Sequence, residues 1–112
     1  MYAEIQIGAE MVPMEANAAT PFRFKQVFHR DFLALASKGL EDAEAAEVGA
    51  QLAYIMAMQG AKADMTKLNE DAFYKWLEGF GPNDIVMALG EVMELYNGNT
   101  ATTVAPKKKK GQ

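Results

Sequence analysis

The 112-residue chain has no cysteine and only one histidine, His29. Without thiols, neither disulfides nor thiolate metal ligation can hold its fold. With a single imidazole, His29 has no second metal ligand at usable spacing. No glycine-rich phosphate loop, Gly-x-Ser-x-Gly or His-Glu-x-x-His occurs. Long apolar runs are missing too. The stretch Leu52 to Met58 falls far short of the roughly 20 residues that a membrane helix needs. Met1-Tyr2-Ala3-Glu4 carries neither a basic n-region nor an apolar core, so no signal peptide is read and a cytosolic location is expected.

Basic charge is scarce outside one place. Four of the eleven basic residues are Lys107 to Lys110, and the rest of the chain sets seven cations against fifteen acids. So acidic a body repels phosphate backbones, and nucleic acid is not an expected partner. What the chain does have is apolar material. Half its residues are hydrophobic, enough at this length for one packed domain.

Residues 2–7 alternate, with Ala3, Ile5 and Ile7 on one side and Tyr2, Glu4 and Gln6 on the other. Gly8-Ala9-Glu10 can turn the chain, and residues 11–16 can return, with Pro13 suited to an edge. A β-hairpin is expected. Thr20 is then read as a helix cap and Pro21 as the first helical residue.

Helix one is predicted over 21–38. Its stripe is Phe24, Phe28, Phe32 and Leu35, and Gly39 stops it. Helix two, over 41–60, starts among Glu41, Asp42, Glu44 and Glu47, favourable beside the positive end of the helix dipole. After Val48 it is apolar over much of its circumference, which predicts a central position. Small residues at Ala46, Gly49, Ala50 and Ala53 allow another helix close by, in this chain or in a homo-oligomer. Helix three, over 69–79, takes Asn69 as cap and buries Phe73, Trp76, Leu77 and Phe80. Helix four, over 83–96, carries Ile85, Leu89, Val92, Met93 and Tyr96 and ends at Asn97-Gly98-Asn99. The expected fold is therefore α+β and mainly α: an N-terminal hairpin packed on about four helices. Residues 1–99 form the domain, and 100–112 a flexible lysine-rich tail.

No catalytic residue, cofactor site or metal site is assigned. His29 reads as a surface histidine, and the acids at 41–47 as a solvated helix start lacking the ligand pattern of a calcium loop. The aromatic stripe has two readings, plain core or a face receiving an apolar partner segment. On the second, Phe24, Phe28, Phe32 and Met56 are the candidate partner-binding residues. The eight methionines suit either an adaptable surface or an irregular core.

Four segments taken in order resemble the tail assembly chaperones of long-tailed, siphovirus-type phages and prophages of Gram-positive bacteria. The first is Ala19-Thr20-Pro21-Phe22-Arg23-Phe24-Lys25 with Phe28 and Arg30-Asp31; the second is Leu52-Ala53-Tyr54-Ile55-Met56-Ala57 with Gln59. The third is Phe73-Tyr74-Lys75-Trp76-Leu77. The fourth is Glu91-Val92-Met93-Glu94-Leu95-Tyr96 with Asn99 to Thr103 and Pro106 to Lys109. His29 departs from the pattern, standing where glycine is expected, and Gly79-Phe80-Gly81-Pro82 makes a tighter corner.

The resemblance implies a non-catalytic morphogenesis factor of the host cytoplasm, absent from the mature virion. It would bind the aggregation-prone tape measure protein and keep it soluble while tail tube protein polymerises around it. It also implies a programmed frameshift near the end of the reading frame. Four lysine codons give at least eight adenines in twelve nucleotides, on which paired tRNAs can slip back. Two other classes compete. A structural virion component, such as a head–tail joining protein, would be found in purified particles. A nucleic-acid-binding regulator would use the lysine run.

Overall fold

The computed structural model describes residues 1–39 and 41–98. The expected tail, 100–112, lies outside the described residues.

The period-2 alternation at the N-terminus forms β1 (Tyr2–Ile7) and β2 (Glu10–Glu15). They pair antiparallel, with Ile5 opposite Val12 and Ala3 opposite Met14, so the apolar residues of both strands share one face. The loop is Gly8-Ala9, shorter than the three residues expected from sequence. Gly8 has φ 62°, the left-handed backbone that primed hairpin turns require at this point. Ile5, Ile7, Val12 and Met14 are buried. They rest on two helices, α3 beneath β2 and α5 beneath β1.

The helices are α1 (Thr20–Phe28), α2 (Phe32–Lys38), α3 (Asp42–Gly60), α4 (Glu70–Leu77) and α5 (Asp84–Tyr96), with a 3-10 turn at Met65–Lys67. The 41–60, 69–79 and 83–96 expectations hold to within two residues at every boundary. Asn69 caps α4 as expected, accepting from the Ala72 amide at 2.8 Å. Thr20 does not cap α1. Ala19 holds that position, and Thr20 is wholly buried inside the first turn, its hydroxyl accepting from the Asn17 amide and from Gln59 Nε2.

The single helix expected over 21–38 is two helices. α1 ends at His29, whose φ of 58° is left-handed. Asp31 then caps α2, its carboxylate accepting from the Ala34 amide at 3.2 Å. Eight residues of unbroken helix would separate Phe24 and Phe32 by about 12 Å along the axis. Their ring centroids are 5.4 Å apart, because the break folds α2 back. At this left-handed position glycine would escape the steric cost that the His29 side chain brings. Arg30, inside the break, ties it to α3 through Glu44 (3.0 Å), Glu47 (3.3 Å) and Gln51 Oε1 (3.2 Å). The acidic start of α3 is thus partly paired rather than only solvated.

α3 is central, as its apolar circumference predicts. Leu52, Ala53, Ile55 and Met56 have no measurable exposure. Phe24, Phe28 and Phe32 join Tyr54, Phe73 and Tyr96 in one aromatic network, largely edge-on, with centroids 4.9–6.3 Å apart. Such pairs add about 0.5–1.5 kcal/mol each beyond their area. No helix among the described residues is long and apolar enough to cross a membrane.

Candidate partner-binding cleft

Where α2, α3 and α5 meet, the packing leaves an open cleft of about 330 Å³. Each helix contributes residues one turn apart: Phe32 and Ala36 from α2, Ala45, Val48 and Gly49 from α3, Leu89 and Met93 from α5. Every lining residue is apolar. Ala36 and Ala45 are too small to close the gap between their helices. Gly49 decides how near α5 comes. A Cβ there would lie 2.8 Å from Leu89 Cδ2, so the bare backbone admits the leucine. The small-residue ridge read from sequence is therefore spent in part inside the chain, with Gly49 and Ala53 buried.

Phe32 belongs both to the core and to the cleft wall. Its ring contacts Phe24 on one side and Tyr96, at 4.9 Å, on another. Burial raises the Tyr96 hydroxyl above its ordinary pKa, and does the same to Tyr54. Leu33, beside Phe32, is 55% exposed, and Val86, one turn ahead of Leu89, is 53% exposed. The nearby charges are mostly acidic. Glu41 and Asp42 lie one turn before Ala45, and Glu94 follows Met93, all exposed; Lys38 is the cation at the end of α2. An apolar hollow of this kind suits an apolar helix.

The four residues singled out from sequence as partner contacts are placed differently. Phe24 and Met56 are fully buried, and Phe28 is 5% exposed. For these three the core reading fits their burial: Phe24 packs on Phe32 of α2, and Phe28 on Tyr54 of α3 and Phe73 of α4. Phe32 reaches the cleft wall, at 3% exposure. Sequence reasoning missed Ala36, Ala45, Val48, Leu89 and Met93 as one surface. The available signal was the spacing of Ala45, Val48 and Gly49 ahead of the fully apolar part of α3.

His29 is exposed, as expected. No group of three or more histidine, cysteine, aspartate or glutamate side chains among the described residues could hold a metal ion. Comparison with protein-family models, with curated proteins and with solved structures finds no match to this chain.

Proposed function

We propose that this chain is a tail assembly chaperone of a long-tailed phage or prophage, a non-catalytic protein of the host cytoplasm that is left out of the mature virion. Its client is the tape measure protein. The apolar cleft between α2, α3 and α5 takes up client helices that would otherwise aggregate, while the acidic surface keeps the complex in solution. The observation that carries this reading is the open cleft whose seven lining residues are all apolar. The four motifs in order supply the class. In the same reading, the codons of Lys107 to Lys110 are a slip site that yields a longer product.

Co-expression with the tape measure protein tests the proposal. The client should stay in the soluble fraction with the native chain and precipitate with Ala45→Trp, which fills the cleft, while circular dichroism shows the variant folded. Purified phage particles should lack the protein. Its presence in particles at stoichiometric amounts would favour a structural virion component instead.

A further inference from the structure

The two most exposed large apolar side chains among the described residues are Met87 of α5, at 83%, and Phe22 of α1, at 69%. A single apolar side chain on a surface is ordinary. These two stand in settings of opposite charge. α1 carries Arg23 and Lys25 and no acid. α5 carries Asp84, Glu91 and Glu94 and no base. The ion pairs among the described residues all belong to Arg30, so Arg23, Lys25, Glu91 and Glu94 meet no opposite charge there.

On each helix the exposed side chains form one stripe. Phe22, Lys25, Gln26 and His29 fall at i, i+3, i+4 and i+7, and with Arg23 they line an open hollow on α1. Met87, Gly90, Glu91 and Glu94 repeat that spacing on α5, and every residue of both stripes is exposed. The two surfaces thus match in pattern and differ in sign.

Gly90 supplies an independent observation. Glycine inside a helix destabilises it relative to alanine. The other helical glycines have a reason within the chain. A Cβ on Gly49 would strike Leu89, and one on Gly60 would strike the Pro13 carbonyl. A Cβ on Gly90 would meet nothing within 4 Å, and its φ is not positive. Neither packing nor backbone conformation within one chain explains it. Gly90 lies one turn from Met87 on the same face and leaves a bare shelf where a second surface can close on the helix.

We propose that the outer face of α5 binds α1 of a second copy of this chain. Phe22 of one copy seats on the Gly90 shelf against the Met87 thioether of the next, a favourable sulfur–aromatic contact. Arg23 and Lys25 then face Glu91 and Glu94. The contact joins unlike faces, so each copy offers one of each kind to its neighbours. It does not use the small-residue ridge of α3, two of whose members, Gly49 and Ala53, are buried. The inference is independent of the apolar cleft and of the client assigned to it.

Sedimentation of the full chain over a range of concentrations is the test. The native chain should self-associate, and more weakly as salt rises, because the facing charges are exposed. Phe22→Asp disables the α1 face and Met87→Asp the α5 face. Both side chains are exposed, so circular dichroism should show both variants folded. Each alone should associate about tenfold more weakly or worse. An equimolar mixture of the two should regain native affinity but stop at one-to-one complexes, because together they retain one intact pair of faces. Gly90→Leu should weaken association as well while leaving α5 at least as stable, since leucine favours helix over glycine. A monomer at every concentration, native association in either aspartate variant, or no recovery in the mixture would overturn the proposal.

Discussion

α3 is one continuous helix of 19 residues with two environments. From Val48 to Ala57 nearly every residue is buried, whichever way it faces. From Asp42 to Glu47 none is fully buried, and the charged residues there are all acidic. The second half is the axle around which the hairpin, α1, α4 and α5 pack. The first half is not fully covered, Arg30 ties it to the start of α2, and the cleft lies at the transition. A helix is normally stabilised by covering its apolar stripe. Here full cover begins only at Val48, and the apolar lining of the cleft continues from Val48 onto α2 and α5. The difference separates residues that hold the fold from residues free to meet a partner.

That contrast can be broken at several places. The largest effect is expected in the covered half. Leu52→Ala should cost about 2–5 kcal/mol in a denaturant titration, because it opens a void that α3 and its neighbours cannot collapse into. A cost under about 1 kcal/mol would mean that this half is less tightly packed than its burial indicates. Arg30→Ala comes next. It removes a guanidinium shared by Glu44, Glu47 and Gln51 and loosens α2 from α3. Part of that site is solvated, so the expected loss is about 1–2 kcal/mol, reduced by salt.

His29→Gly should move stability the other way, by a gain of about 0.5–1 kcal/mol, since glycine removes the steric penalty at φ 58°. A loss would mean that the imidazole makes a contact worth more than the strain. Leu33→Ala should be smallest, within about 0.5 kcal/mol, because Leu33 is more than half exposed. If it cost as much as Leu52→Ala, α2 would belong with the core and the contrast would fail.

The same contrast marks where the sequence was readable. The hairpin, α3, α4 and α5 each have a single hydrophobic period and a local stop, and their ends fall within two residues of expectation. The break at His29 was not read, because Phe24, Phe28, Phe32 and Leu35 keep helical spacing straight across it. The competing signal was Asp31, a good cap three residues before Ala34, and periodicity outweighed it. The 3-10 turn at Met65–Lys67 is held by Asp64 contacts with the Thr66 amide and hydroxyl, too short a pattern for any period to show. The site was less legible than the fold. Spacing shows which side chains share a face, not what covers that face. Covering is decided by segments distant in the chain, and so Phe24, Phe28 and Met56 kept a surface reading beside the core one. The cleft draws on three helices that only the tertiary fold brings together.

The central claim, that the uncovered junction of α2, α3 and α5 is the client-binding surface, is tested most directly by methyl NMR of the full chain titrated with an apolar helical segment of the tape measure protein. The account predicts saturable shifts at the methyl groups of Ala36, Ala45, Val48, Leu89 and Met93, with Leu52 and Met56 in the covered half unmoved. Saturable binding that shifts other surfaces and leaves those five residues unchanged, or no binding at all, would contradict it.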